Sequence, residues 1–280
     1  MKKPLISRAR PQQTRLAGCI DLERFLRERQ SRRIAGNIWA FNRLPSTNTL
    51  LKTMPPHTAP EGLLCISRHQ YSGRGQGQRR WEAEDGHALT FSIYLLPPAS
   101  GCDRLQLLLQ AAALSVLQSL KACFAINGVL KWPNDVLVGG KKICGILAES
   151  SFVGNKIERF VLGIGLNTNG RLPAAVAQDS INIEQIVQRP ADHTELLLSL
   201  VKHLDHNYQR WLENDMQLVT DINTHHRGYG RRVALHTGAG LHPDYVKFLG
   251  LDMFGYPIFL DDFDDIKRFK SDDIRFHPVE

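Results

Sequence analysis

The sequence predicts an α+β protein in which a β-sheet with flanking helices precedes a small β-barrel. Over residues 38–220, short apolar and β-branched runs are mixed with two long segments whose apolar residues recur at helical spacing. After Asp215, closely spaced apolar runs separated by glycine and aspartate indicate a small all-β unit. We therefore expect three parts: a basic extension over residues 1–37, a main domain over residues 38–220 and a barrel over residues 221–280.

The individual elements follow from local patterns. Pro4 and Pro11 discourage regular structure in the extension before one charged helical segment over residues 21–33. A helix over residues 103–124 is expected to use Asp103 as its cap, and a second amphipathic helix covers residues 194–213. Apolar runs predict strands over residues 61–69, 88–96, 128–132, 143–149 and 159–166, and barrel strands over residues 232–236, 245–251, 256–260 and 266–269.

Positive charge is concentrated at one end of the chain. The 280 residues are 42% hydrophobic and 22% charged, which is typical of a folded globular protein, and the formal net charge is +7. Residues 1–43 hold eleven Lys and Arg against three Asp and Glu, an excess of +8, so the remainder is near neutral. A non-enzymatic nucleic-acid binder stays open as an alternative. DNA binding is disfavoured, because this stretch offers no second helix for a helix-turn-helix.

The sequence also favours a cytoplasmic location. The most apolar run, residues 105–120, is interrupted by Gln106, Gln110 and Gln118, so we expect no membrane span. No signal-peptide pattern follows the basic N-terminal residues. The five cysteines are an odd number without a Cys-x-x-Cys pair, which argues against a disulfide framework and a structural zinc site.

The strongest single motif is the glycine-rich, arginine-rich segment from Ser72 to Trp81. Its three glycines let the backbone approach a ligand at a cost in ordering entropy, so we expect a loop that is mobile without ligand. Arg74 can bind a carboxylate or phosphate through two parallel hydrogen bonds. The segment fits neither the dinucleotide fingerprint nor the Walker P-loop. A solvated basic turn is the alternative.

Four further segments follow in order along the chain, each with a simpler structural alternative. Ser46-Thr47-Asn48 opens a helical stretch, where an ordinary N-cap would suffice. In Lys131-Trp132-Pro133-Asn134-Asp135 the proline favours an extended Trp132, with a hairpin turn through residues 139–140 as the alternative. Residues 140–149 place two lysines before an apolar strand, and residues 163–167 read Gly-Ile-Gly-Leu-Asn, which also suits a close strand crossing.

Together these segments resemble the catalytic domain of biotin protein ligases, from about Phe41 to Asn169, in the family's order and nearly its spacing. The resemblance implies a mixed β-sheet with flanking helices, of the class II synthetase-like type, followed by an SH3-like β-barrel. It implies that ATP and Mg²⁺ activate biotin as biotinyl-5′-AMP and that biotin then passes to a lysine of a biotin carboxyl carrier domain. Because the extension is too short for the winged helix of the family's repressors, we expect a ligase only.

The resemblance also implies roles for individual residues. The catalytic candidates are Lys142, Arg74, Lys131 and Asp135. The biotin-binding candidates are Ser46, Thr47, Asn48, Gln70, Arg74, Gly75, Gln76 and Lys142. The candidates for binding ATP or the adenylate are Arg74, Arg79, Trp81, Lys131, Asn134 and Asn167. Asp135 would either bind Mg²⁺ or orient the incoming carrier lysine, and both roles stay open.

One departure and one competitor accompany the resemblance. In the family's loop the sixth position is commonly glycine, whereas here it is Gln78 and a glycine stands one place earlier, at Gly77. The family pattern therefore does not determine the backbone conformation of this loop. A lipoate-type ligase shares the fold and the adenylation step, but the Ser-Thr-Asn and Lys-Trp-Pro-Asn-Asp segments do not resemble that family.

Overall fold

The structure, a computed structural model, describes residues 20–31, 33–55, 58–154, 156–237, 240–241, 245–270 and 274–279. Residues 1–19, with Pro4 and Pro11 and most of the expected extension, lie outside the described residues. The described part contains one large mixed sheet with helices and one smaller antiparallel sheet at the C-terminal end. The expected fold class is confirmed.

Seven strands form the large sheet in the order β1-β2-β3-β7-β6-β5-β4. They are β1 (Ile38–Leu44), β2 (Leu63–Gln70), β3 (Ala88–Leu95), β4 (Val129–Lys131), β5 (Asp135–Val138), β6 (Lys141–Val153) and β7 (Lys156–Asn167). Only β1 and β2 pair in parallel; the other pairs are antiparallel. The five predicted strands of this domain are present. Strand β1 was not predicted because most of its side chains are only partly buried, and β5 because it has only four residues.

Six helices and one 3-10 turn accompany this sheet within the described residues. They are α1 (Leu22–Glu28), α2 (Thr47–Thr53), the turn Ala99–Arg104, α3 (Leu105–Phe124), α4 (Ile183–Val187), α5 (His193–Leu212) and α6 (Met216–His225). Two details differ from expectation. The first helix ends at Glu28 because Arg29 has an extended conformation. Asp103 does not cap α3: it lies inside the 3-10 turn, and α3 begins without a side-chain cap.

The two faces of the sheet bury different helices. Helix α3 packs against α5 and β6, whereas α2 packs against β2, β3 and β7. Successive residues of a strand point to opposite faces. Accordingly Leu162 and Ile164 of β7 lie in the main core with α3, and Val161 lies with Leu51 of α2 in a second, smaller core. From residue 159 to residue 165, the odd-numbered residues of β7 therefore face α2.

The smaller sheet closes the C-terminal end. Its strands are β8 (Arg232–Thr237), β9 (Gly240–Leu241), β10 (Val246–Leu251), β11 (Pro257–Leu260), β12 (Ile266–Arg268) and β13 (Arg275–Pro278), in the order β12-β11-β10-β8-β13 with β9 on β8. Phe248 packs against Phe276 and Phe259 with ring centroids 4.6 and 5.4 Å apart. The expected boundary at residues 220/221 falls inside α6, and the division into three parts stays a prediction.

A polar bridge crosses the core between the two sheets. Gln110 of α3 is 1% exposed, and its Nε2 donates to the Pro133 carbonyl at 2.5 Å. Its Oε1 lies 3.1 Å from Nε2 of His226, the residue that follows α6 and meets Leu130 of β4. Burial lowers the pKa of His226 to about 3, so this imidazole is neutral. The bridge ties the turn after β4 to the junction with the smaller sheet.

The helical stretch Ala99–Phe124, which contains α3, is long and apolar enough to span a membrane by length and composition. However, 72% of its most apolar window is buried inside the fold, as in the core helix of a globular protein. This feature is weak support for a membrane span.

Candidate active site

A cavity of about 200 Å³ lies on the α2 face of the large sheet, beneath the glycine-rich segment over residues 73–81, which we call the loop. Two sets of predicted side chains line it. The neutral polar set is Ser46, Thr47, Asn48 and Gln70, and the cationic set is Arg74, Arg79, Lys142 and the unpredicted Arg80. No Asp or Glu of the described residues lines the cavity. Such a cavity suits a ligand with one neutral polar part and one anionic part.

Three glycines make the floor of the cavity. Gly145 and Gly165 pair across β6 and β7, and Gly163 lies one step further along the same face of β7. A Cβ at Gly165 would lie 2.7 Å from Cδ2 and Cζ2 of Trp81, and one at Gly163 would lie 2.8 Å from Cγ of Asn48. Both distances are shorter than real contacts, so glycine is required for these side chains to rest on the strands. Residues 163–165 therefore leave room for side chains of α2 and the loop to lie directly against β7.

The neutral end is built on the N-terminus of α2. Ser46 caps the helix, with its Oγ accepting from the Thr49 amide, and the following two residues turn into the cavity. Thr47 donates its backbone N–H to Gln70 Oε1 at 2.6 Å. Its hydroxyl lies 2.6 Å from Ser92 Oγ and 3.0 Å from Gln70 Oε1. The cap alternative is confirmed, and the same helix start places Thr47 and Asn48 at the cavity. Their role in binding biotin stays a prediction.

The cationic end is organised by the hairpin of β5 and β6. Lys142 Nζ lies 2.5 Å from Asp135 Oδ1, and a Cβ at Gly145 would lie 3.1 Å from that Nζ. Asn134 fixes the hairpin to β6, since its Nδ2 donates to the Ile146 carbonyl at 2.8 Å and its carbonyl accepts from the Ile146 amide. The turn at residues 139–140 is also present, as the structural alternative expected.

Besides Asp135, two predicted residues lie beside the cavity without lining it. Lys131 pairs with Asp135 across β4 and β5, one strand away from Lys142. Asn167 is buried and donates to the Ile181 carbonyl at 3.3 Å, which anchors the segment after β7. Their predicted contacts with ATP stay predictions.

The loop is a small hairpin over the cavity. Residues 74 and 80 form a bridge, the Gly75 amide donates to the Arg79 carbonyl, and the Trp81 amide donates to the Gly73 carbonyl. At its tip Gly77 has φ +64° with nothing within 4 Å of its Cβ position. This is the first central residue of the turn, where type II′ hairpins require glycine.

The backbone of the tip explains the departure at Gln78. Because the positive φ falls at Gly77, the next residue needs no glycine. Gln76 at the tip also lies 3.5 Å from the Arg275 guanidinium of β13, so the smaller sheet reaches the loop. The hairpin has the conformation of the basic-turn alternative and lies over the cavity, and its role in binding a ligand stays a prediction. Its mobility stays a prediction.

Besides Arg80, sequence reasoning missed two polar side chains that contact the predicted site residues. Glu149 of β6 pairs with the loop, since its Oε1 lies 3.0 Å from Nη1 of Arg74. Ser92 of β3 is fully buried and donates to Asn48 Oδ1 at 2.5 Å. Both are polar residues in strands that were predicted from their apolar content. A polar residue that interrupts such an apolar run was the available signal.

The donor set at the site suits organic anions better than a resident metal ion. The described residues contain no group of three or more His, Cys, Asp or Glu able to hold a metal ion. Asp135, the predicted Mg²⁺ ligand, is already paired with Lys142. The neighbouring Cys144 is buried, which raises the pKa of its thiol and keeps it protonated. A thiolate nucleophile is therefore not expected there.

Comparison with known sequences points to one family. A sequence model of the Biotin/lipoate A/B protein ligase family matches residues 40–167. The chain is 27% identical over 237 residues to a bifunctional ligase/repressor BirA of Bacillus spizizenii, covering 82% of this chain and 71% of that protein. It is 30% identical over 185 residues to a biotin--[acetyl-CoA-carboxylase] ligase of Mycobacterium tuberculosis, covering 64% and 66% of the two chains.

Solved structures agree with the sequence comparison. A biotin protein ligase from Aquifex aeolicus, in complex with biotin and ATP, superposes with a TM-score of 0.75 and 27% identity. The match covers 87% of this chain and 99% of that one. It therefore includes both sheets and not only the residues around the cavity.

Proposed function

Because the chain belongs to the biotin/lipoate A/B protein ligase family, we propose that it is an ATP-dependent biotin protein ligase. It activates biotin as biotinyl-5′-AMP and transfers the biotinyl group to a lysine of a biotin carboxyl carrier domain. The observation that supports this assignment best is the composition of the cavity, with amide and hydroxyl groups at one end and four cations around the other part.

The first step joins two anions. A carboxylate oxygen of biotin attacks the α-phosphorus of ATP, the bond from that phosphorus to the bridging oxygen breaks, and pyrophosphate leaves. Charges of one sign repel as they approach, so the enzyme's main contribution is neutralisation and positioning. Lys142 is our candidate for contact with the carboxylate and the α-phosphate, and Arg79 and Arg80 lie at the rim of the same cavity.

Asp135 supports Lys142 in this proposal. The carboxylate lies 2.5 Å from Nζ and therefore keeps the flexible lysine side chain directed along the hairpin. Mg²⁺ would arrive with the phosphates of ATP, since it usually binds through substrate phosphates and one or two carboxylates. Asp135 is the residue predicted to contact it.

The neutral end is proposed to bind the ureido ring of biotin. Thr47, Asn48 and Gln70 offer hydroxyl and amide groups without a net charge, which matches a neutral cyclic urea. The loop then covers the ligand, with Trp81 resting on the glycine floor. Excluding water protects the mixed anhydride from hydrolysis.

In the second step the ε-amine of the carrier lysine attacks the acyl carbon of biotinyl-5′-AMP. An amide forms, AMP leaves and the amine loses a proton to solvent or a nearby base. We propose the carrier domain as the partner and the cytoplasm as the compartment, where ATP and carboxylases meet.

The test is pyrophosphate exchange into ATP with either biotin or lipoate as the carboxylic acid. Exchange with biotin and none with lipoate supports the proposal. Exchange with lipoate alone would assign the lipoate-type activity instead. Absence of exchange with both acids, together with retention on DNA at physiological salt, would favour the nucleic-acid alternative.

A further inference from the structure

We propose that Glu149 is a positioning residue that fixes the hydrogen-bond direction of the neutral end of the cavity and holds Arg74 beside it. The inference rests on the proposed function, because the ligand group whose binding Glu149 affects is the ureido ring of biotin. It concerns a residue that lies outside the cavity lining and acts through Asn48.

Glu149 is the meeting point of three donors from two different elements. Its side chain is only 10% exposed. Its Oε1 accepts from Lys52 Nζ at 2.8 Å and from Arg74 Nη1 at 3.0 Å. Its Oε2 accepts from Asn48 Nδ2 at 3.2 Å. Lys52 and Asn48 belong to α2 and Arg74 to the loop, so one carboxylate joins the helix under the ligand to the segment above it.

The charge of Glu149 decides which way Asn48 faces. An ionised carboxylate can only accept hydrogen bonds, so Asn48 must present its NH₂ group to Glu149. The same NH₂ also reaches the Leu147 carbonyl at 3.3 Å, another acceptor. The amide oxygen of Asn48 is thereby turned towards Ser92, whose hydroxyl donates to it at 2.5 Å.

The orientation of Asn48 also determines the hydrogen bonds that Thr47 can make. Ser92 has one hydroxyl proton and gives it to Asn48, so in the 2.6 Å contact between the two hydroxyls Thr47 must be the donor. The Thr47 hydroxyl, which also faces the acceptor Gln70 Oε1 at 3.0 Å, then has no proton left for a ligand and can only accept from it. Acceptors at this end match the two N–H groups of a cyclic urea.

Replacing the carboxylate by an amide removes the charged acceptor of this orientation and leaves only the 3.3 Å contact with the Leu147 carbonyl. In Glu149→Gln the new NH₂ group can face Asn48, which can then turn its oxygen to residue 149 and its NH₂ to Ser92. Ser92 would then donate to Thr47, and the Thr47 proton would be shared only between Gln70 Oε1 and the ligand. Lys52 and Arg74 are 41% and 42% exposed and can pair with water instead, so the fold is expected to survive.

Lys52→Gln is the matched control, because it removes a different donor of the same carboxylate and leaves Asn48 and Arg74 in place.

The experiment measures biotin affinity by titration calorimetry without ATP, and KM and kcat for biotin and ATP by pyrophosphate exchange. We expect at least a tenfold loss of biotin affinity in Glu149→Gln, with the KM for ATP nearly unchanged. Lys52→Gln should stay within a few-fold of wild type. Wild-type affinity in Glu149→Gln, or an equal loss in Lys52→Gln, would overturn the inference.

A second readout separates this inference from the proposed function. The side-chain amide resonances of Asn48, observed by NMR in the ligand-free protein, should shift strongly in Glu149→Gln and little in Lys52→Gln. Unchanged Asn48 resonances in Glu149→Gln refute the inference whatever the ligand is. A wild-type protein that binds no biotin refutes the proposed function and leaves this measurement to decide on Glu149.

Discussion

Substitution of Gly165 by alanine should lift Trp81 off the floor of the cavity. The added Cβ would lie 2.7 Å from two indole carbons, and these belong to a rigid ring that cannot bend away. Forcing an extra methyl group into such a contact costs about 1–3 kcal/mol. The loop is an exposed hairpin, whereas β7 pairs with a strand on each side, so we expect the loop to move before the central strand does.

Gly145→Ala is the matched control. Gly145 pairs with Gly165 on the same rung of β6 and β7, but its Cβ position meets Lys142 Cε and Nζ at 3.1 Å. These atoms are the far end of a flexible side chain and can shift by a few tenths of an ångström. We therefore expect a smaller effect on the loop from this variant.

The assay is limited trypsin digestion at Arg79 and Arg80, both exposed in the loop, followed by pyrophosphate exchange. A cost of about 1–3 kcal/mol corresponds to roughly a five- to 150-fold increase in the population of the open loop. Loop cleavage in Gly165→Ala should accelerate by up to that factor. The KM for biotin should rise in parallel. Equal cleavage of wild type, Gly165→Ala and Gly145→Ala, with unchanged KM, would show that Trp81 does not hold the loop.

Four further outcomes are expected. Lys142→Ala should slow biotinyl-5′-AMP formation at least a hundredfold, about 3 kcal/mol, in a single-turnover assay, while biotin binding by calorimetry stays largely intact. Arg74→Ala should release more adenylate, measured as biotinylation of bystander protein; unchanged leakage would contradict a covering role. Gly77→Ala should impair loop closure, seen as faster trypsin cleavage, because alanine is strained at φ +64°. The neutral, buried His226 has a pKa of about 3 against 6.5 in the unfolded chain, so the unfolded state binds more protons between these values. Stability should therefore fall as the pH drops below about 6.5, by about 2 kcal/mol at pH 5, and urea unfolding of His226→Asn should show a flatter pH dependence.

Local patterns predicted the parts of the site that lie on contiguous segments. The cap at Ser46, the end of β4 at Lys131 and the glycine strand at residues 163–165 each depend on neighbouring residues, and all three are present. The resemblance to biotin protein ligases indicated that these segments belong to one ligand-binding site. Composition and periodicity alone left the N-cap and hairpin alternatives open.

The remaining features depend on contacts between distant segments. Glu149 meets Asn48, which lies 101 residues earlier in the chain, and no local pattern contains that pairing. Strand β1 was missed because an edge strand with partly exposed side chains lacks a clean alternation. The expected cap at Asp103 failed because a 3-10 turn continues through that position before α3 begins.

Gln110 restricts which parts of this protein can be exchanged with those of relatives. Its side-chain NH₂ donates to the Pro133 carbonyl in the turn that follows β4, and its side-chain oxygen pairs with the imidazole of His226 beside the smaller sheet. A leucine there would improve the apolar pattern of α3 but leave a buried carbonyl and a buried ring nitrogen unpaired, a cost of about 1–3 kcal/mol for each. A chimaera that takes its C-terminal sheet from another ligase must therefore inherit Gln110 and His226 as a pair.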